Sequence, residues 1–190
     1  MSETRKACAR REGDAFFLKY CKGKGIDIGC GNDPIQSDQV ELDVFAFDHL
    51  FGHGDAQFMR HQQPASFDWV YSSHTLEHMH DPATALQNWW RILKPGGYLI
   101  LLLPERDLYE KRTVLPSRWN EDHKYYFLLD RDEKPHTLGL VPLVSRVCKP
   151  GRILEARTLM HEPFPTDPTK HSDGEYSIEL VTKKLVHYVV

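Results

Sequence analysis

Cysteine is scarce in this 190-residue chain, and Cys8, Cys21, Cys30 and Cys148 stand far apart with no C-x-x-C spacing, which excludes a zinc ribbon and a disulfide scaffold. Reduced thiols are expected. An excess of one charge is also missing. With 24 basic and 27 acidic residues, a formal net charge of −3, there is no broad cationic face for nucleic-acid phosphates, so a small molecule is favoured over DNA or RNA. Long apolar runs are absent too. The longest, residues 98–103 (YLILLL), is far too short to cross a bilayer, and no apolar segment follows Arg5, Lys6, Arg10 and Arg11. A soluble, cytoplasmic protein without a membrane partner is expected. No internal repeat is visible, and the length suits one domain over residues 1–190.

What the chain does have is concentrated in residues 26–34, IDIGCGNDP. Asp27, Gly29 and Gly31 alternate directly after a short apolar run, where a strand gives way to a turn. Glycine lacks Cβ, so its backbone turns sharply and admits a ligand at contact distance. A dinucleotide fingerprint would need a third glycine where Pro34 stands, and a phosphate-binding Walker loop would need a following Lys-Ser/Thr pair. Both are excluded. An acid beside two turn glycines suits the polar ends of an adenosyl cofactor.

Strand and helix signals alternate along the rest of the chain. Residues 1–22 read as an N-terminal helix packed loosely on a larger body. Residues 24–29 and 39–44 read as short strands, and the interval between them is too short for the usual crossover helix, so a shortened first crossover is expected. Residues 67–72 form the next strand. Asp81-Pro82 then supplies an N-cap and a first-turn proline. Leu86, Trp89, Trp90 and Leu93 follow at i, i+3, i+4 and i+7 as one core-facing stripe that Lys94-Pro95-Gly96-Gly97 ends. Residues 98–103 are apolar without alternation, as in a parallel strand covered on both faces. Residues 152–160 and 176–185 read as paired closing strands.

Acid-x-Gly-x-Gly at 27–31, FDWVYSSHTLEHMHDP from Phe67 and LKPGGYLILLLPE from Leu93 together resemble class I S-adenosylmethionine-dependent methyltransferases of the methyltransferase-11 type. The likeness covers residues 24–106. The last motif glycine is Asp33 here, which is a departure from the family pattern. The resemblance implies an α/β fold with a Rossmann-like, mostly parallel sheet and an antiparallel final strand, S-adenosylmethionine as cofactor, and residues 107–148 as a cap over the acceptor. It further implies that Gly29, Cys30 and Gly31 run along the methionine and ribose and that Asp27 binds the methionine ammonium. Asp43, with Asp48 as substitute, would accept the ribose hydroxyls. Asp55 and Ala56 would meet the adenine, with Phe58 or Met59 beside the ring. Ser72, Ser73 and His74 would lie under the sulfonium.

Methyl transfer to a hydroxyl needs a base, and imidazole titrates near neutrality. His78 and His123 are the candidates, His123 being oriented by Asp122 or another acid. The expected function is methyl transfer to oxygen or nitrogen of a small molecule such as a sugar or secondary metabolite. Two other classes compete with it. A non-catalytic adenosyl-binding or partner-binding module would bind cofactor without turnover. The segment His74-Thr75-Leu76-Glu77-His78 also matches H-x-x-E-H, an inverted zinc-protease signature, but that chemistry needs a helix through the motif, whereas a strand precedes it and a new helix follows. No metal centre is therefore expected, and His49, His53, His61 and Asp55 match no standard spacing. Pro163, Pro165 and Pro168 mark a loop.

Overall fold

Alternation of buried side chains along short apolar strands builds a sheet that is covered on both faces. In the computed structural model, which describes residues 1–162, 167–171 and 173–186, helices α1 (Glu3–Arg11) and α2 (Phe16–Tyr20) precede strands β1 (Gly25–Ile28), β2 (Val44–Phe47) and β3 (Phe67–Ser73). Helix α3 (Pro82–Ile92) and strand β4 (Leu93–Pro104) follow. Then come two short strands, β5 (Tyr126–Leu128) and β6 (Thr137–Gly139), helix α4 (Leu140–Val147), and strands β7 (Gly151–Thr158) and β8 (Ser177–Lys184). The main sheet runs β2-β1-β3-β4-β8-β7. Its first four strands are mutually parallel, and β8 lies antiparallel to both β4 and β7. This is a Rossmann-like, mostly parallel sheet closed by an antiparallel final strand.

Period-two alternation divides β4 between two cores. Leu99, Leu101 and Leu103 join Leu86, Trp89, Leu143 and Val144 on the face of α3 and α4. Ile100 joins Trp69, Tyr71, Phe16 and Phe17 on the face of α1 and α2. Each such fully buried side chain contributes roughly 1.5–3 kcal/mol. Helix α3 starts where Asp81 accepts from the Ala83 and Thr84 amides, with Pro82 in the first turn. The expected stripe of Leu86, Trp89, Trp90 and Leu93 is buried. Two of its polar edges also work outward: Trp89 Nε1 donates to the Ala56 carbonyl at 2.8 Å, and the Arg91 guanidinium donates to the Met59 and Gln62 carbonyls. Helix α3 thereby fastens residues 56–62, which have no strand partner.

Several boundaries differ from the sequence reading. The N-terminal helix breaks over residues 12–15 around Gly13, whose φ is +85°, and it does not pack loosely. Arg11 is fully buried and its Nη2 meets Glu179 Oε2 at 2.5 Å, with the guanidinium 4.2 Å over the Phe16 ring. Burial opposes ionisation of Glu179, but Arg11 and Arg10 outweigh it and hold its pKa to about 2. Strand β2 starts at Val44 rather than residue 39. The first crossover, residues 29–43, contains no helix, as expected. Residues 52–66 form turns, so β2 is the edge of the sheet and the segment resembling the family's fourth strand is the third here. No helix among the described residues is long and apolar enough to cross a membrane. Pro163 and Pro165 lie outside the described residues.

Candidate active site

Three parallel strands end side by side, and in open α/β sheets ligands bind beyond those carboxyl ends. Beyond β1, Gly29 and Gly31 adopt φ of +77° and +55°. A Cβ on Gly29 would lie 2.2 Å from Thr75 Oγ1, whereas a Cβ on Gly31 would meet nothing within 4 Å. The first glycine therefore lets β1 and the β3 loop close together. The second faces open space, a cradle for a ligand. Asp48, directly beyond β2, locks this turn: its Oδ2 accepts from the Gly31 amide and its Oδ1 from the Leu50 amide, each at 2.9 Å.

Two adjoining clefts meet at Gly29 and His74. One, of about 590 Å³, is lined by Asp48, Asp55, Ala56, Thr75 and Met79. The other, of about 400 Å³, is lined by Cys30, Gly31, Ser73, Glu77, Tyr109, Trp119 and His123, with Glu3 and Thr4 of α1 at its mouth. His78 touches both. Asp33, which stands where the family pattern has glycine, binds the Ser2 hydroxyl and meets Arg5 Nε at 2.5 Å. It ties the start of α1 down beside the glycine turn, so the replacement docks a cover.

The sequence-predicted residues separate into those that face the clefts and those that do not. Gly29, Cys30, Gly31, Asp55, Ala56, Ser73, His74, His78 and His123 line them. Asp43 does not. Its backbone carbonyl accepts from Gly25 at the start of β1, at the opposite end of the strands, because β2 begins one residue later. Asp48 holds the terminal place that Asp43 was expected to hold. Asp27 turns inward: Oδ2 accepts from the Ile35 amide at 2.7 Å and Oδ1 is buried without a partner. Burial, reinforced by Asp33 and Asp48, pushes its pKa up to about 7. Ser72 is also internal, its hydroxyl donating to the Ile28 carbonyl. Met59 is buried in the core, and Met79 lies against the first cleft instead. Burial raises the Cys30 thiol pKa to about 12, so it is no thiolate nucleophile.

Polar groups gather at the floor of the second cleft. Glu77 is fully buried, and neither of its carboxylate oxygens has a hydrogen-bond partner. Burial pushes its pKa up to about 8. Around it stand His74 Nδ1 at 3.8 Å, His123 Nε2 at 3.9 Å and His78 Nε2 at 4.0 Å. His123 Nδ1 is 2.5 Å from Glu110 Oε1, and His78 Nδ1 is 2.9 Å from Asp122 Oδ2. Asp122 thus orients His78, and Glu110 is the acid that orients His123. Burial disfavours the His123 imidazolium, but the bond to Glu110 and the charge of Glu77 outweigh it and raise its pKa. Burial lowers His78, and burial with the nearby cationic groups takes His74 down to about 3. His74 itself has φ +49° and pairs through Nε2 with the Ser177 hydroxyl at 3.1 Å. Leu76–His78 is a single 3-10 turn, so the helix that an inverted zinc-protease site requires is absent there.

Sequence reasoning did not reach Thr75, Met79 or the role of Glu110. The clash of Thr75 with a Gly29 Cβ and the pairing of Glu110 with His123 join residues distant in sequence. No local spacing signals them.

Comparison with known proteins agrees with this geometry. A family model described as "Methyltransferase domain", of the methyltransferase-11 type, matches residues 20–101. A ubiquinone biosynthesis O-methyltransferase from Paracidovorax citrulli is 30% identical over 86 residues, 45% of this chain and 36% of that protein. The chain therefore spans about a third of that relative's length. Among solved structures, a Thermotoga maritima SAM-dependent methyltransferase, described as a possible histamine N-methyltransferase, superposes with a TM-score of 0.53 at 20% identity, covering 96% of this chain and 90% of that one. A Burkholderia thailandensis 1,6-didemethyltoxoflavin-N1-methyltransferase, solved with S-adenosylhomocysteine, gives 0.55 at 12% identity, covering 97% and 79%. The chain therefore has the fold of these methyltransferases. The family model of the methyltransferase-11 type matches 82 of the 190 residues, those that carry the glycine turn, β3, α3 and most of β4.

Proposed function

We propose that this chain transfers a methyl group from S-adenosylmethionine to an oxygen or nitrogen of a small-molecule acceptor. The observation that carries the reading is the pairing of an open cradle at Gly31 with the Asp48 carboxylate that braces it, at the carboxyl end of the first two strands. When bound, the cofactor supplies an activated methyl on a sulfonium. The chain's own residues then hold and align. Asp48 would accept the ribose hydroxyls through the lone pairs that the Gly31 and Leu50 amides leave free. Asp55 would accept the adenine amino group beside Ala56, which Trp89 holds in place. The unpartnered, buried Ser73 hydroxyl and His74 border the join between the clefts, and they would line the methionine end. Asp27 stabilises the turn from beneath and meets the ammonium only through an intermediary.

The second cleft would take the acceptor, with residues 107–148 supplying Tyr109, Trp119, Asn120 and His123 as its outer wall. Tyr109 and Trp119 offer ring faces to a planar or sugar-like body. His78 and His123 would manage the acceptor's proton. Calorimetry with S-adenosylhomocysteine and methyl release from labelled S-adenosylmethionine test the reading. Binding with turnover on a small-molecule library is expected. Binding without turnover on any acceptor would favour a non-catalytic adenosyl-binding module, and no binding would end the proposal.

A further inference from the structure

The floor of the second cleft poses a problem that the methyl-transfer reading leaves unsolved. Glu77 lies fully buried with no hydrogen bond to either oxygen, and a buried carboxyl group left without hydrogen bonds is costly. Its neighbours are arranged about it in a particular way. Glu110 occupies Nδ1 of His123, and Asp122 occupies Nδ1 of His78, which leaves both Nε2 atoms directed to one Glu77 oxygen at 3.9 and 4.0 Å. The two imidazole rings cross at 82° with centroids 4.7 Å apart, and the three potential ligand atoms lie within 4.8 Å of one another. Carboxylates on the far nitrogens of paired histidines are the supporting shell that metal sites use to fix tautomer and raise ligand basicity. Glu110 is in turn braced by the Ser117 hydroxyl at 2.5 Å. Backbone bonds from Lys124 and Tyr125 to the Glu77 carbonyl hold the two chain segments together.

We propose that Glu77, His78 Nε2 and His123 Nε2 form a binding site for a divalent first-row transition metal, through which the acceptor is held by oxygen. The inference rests on the methyltransferase reading of the same cleft and deepens it. A cation about 2.1 Å from each ligand in tetrahedral geometry would hold the ligand atoms roughly 3.4 Å from one another, so the site, now 3.9 and 4.0 Å across its carboxylate–imidazole edges, closes by about half an ångström there on loading. Two imidazoles and one carboxylate suit zinc, cobalt, iron or manganese better than calcium or magnesium. Three protein ligands leave positions open toward the cleft, where Tyr109, Trp119 and Asn120 stand. An acceptor carrying a hydroxyl with a second oxygen donor beside it would fill them. Its O–H bond breaks, the oxygen binds the cation, and the proton passes to water, so the two histidines act on the acceptor's proton through the cation they hold.

The test uses the whole chain, stripped with chelator and reloaded with Co²⁺ or Zn²⁺, with bound metal counted after dialysis and Co²⁺ ligand-field bands recorded. Cofactor-site integrity is followed in the same samples by S-adenosylhomocysteine calorimetry. About one equivalent of Co²⁺, with visible bands that Glu77→Gln and His123→Gln remove and that Glu110→Gln weakens in affinity by about 10–100-fold, is expected. Wild-type protein that binds S-adenosylhomocysteine but no metal would overturn the inference and leave the methyltransferase reading standing. Metal retained in both folded ligand variants would place it elsewhere and overturn the inference equally. Loss of both binding activities would overturn both.

Discussion

Asp48 provides the sharpest test of the proposed cofactor site, because the structure puts Asp48 beyond the end of β2 and Asp43, the first choice from sequence, before its start. In Asp48→Asn the side chain keeps one oxygen. It can hold either the Gly31 or the Leu50 amide, each now at 2.9 Å from its own carboxylate oxygen, and it loses the charge offered to the ribose. A charge-assisted hydrogen bond is worth about 1.5–3 kcal/mol, which at 1.4 kcal/mol per tenfold is roughly a 10–150-fold loss in affinity. Titration calorimetry with S-adenosylhomocysteine measures it directly. Asp43→Ala, at the opposite end of β2, is expected to bind within about twofold of wild type, since surface changes away from a site usually cost under 0.5 kcal/mol. Should Asp43→Ala lose as much as Asp48→Asn, or Asp48→Asn lose nothing, the assignment of the ribose acid from strand position would be refuted.

Two further substitutions probe the turn itself. Gly29→Ala places Cβ 2.2 Å from Thr75 Oγ1 in a left-handed conformation, and destabilisation of about 2–4 kcal/mol is expected from overpacking plus backbone strain; an unchanged urea midpoint would contradict it. Asp27 has its pKa raised from 3.8 to about 7, so the folded state holds its proton more tightly than the unfolded chain does. Its contribution is fully present below pH 3.8 and is lost as pH rises through 7. The span is 7 − 3.8 ≈ 3 units, or up to about 4 kcal/mol at 1.36 kcal/mol per unit. Asp27→Asn keeps an acceptor for the Ile35 amide and should gain on wild type from pH 4 to about pH 7, then level off toward pH 8, in denaturant titrations. A constant difference across that range would remove Asp27 as the titrating group.

The sequence by itself determined the strand-glycine turn, helix α3 with its cap and buried stripe, the doubly covered strand β4 and the antiparallel closing pair. These are local: each depends on periodicity, a cap, or glycine conformational freedom within a few residues. It also put Gly29, Gly31, Asp55, His74, His78 and His123 in the same neighbourhood. Only the tertiary structure decided which acid ends β2, because a five-residue shift in where that strand starts moves Asp43 to the far end and Asp48 to the site. Only the tertiary structure turned Asp27 and Ser72 inward, gave Asp33 a task on α1, and assigned Glu110 rather than Asp122 to His123. The same holds for Glu77, the acid of the H-x-x-E-H segment, whose carboxylate sits without a hydrogen bond among three imidazoles once the chain brings residue 123 back against residue 77. Those facts depend on pairing between distant segments, where side-chain direction and burial are set by the neighbour across the cleft rather than by the neighbour along the chain.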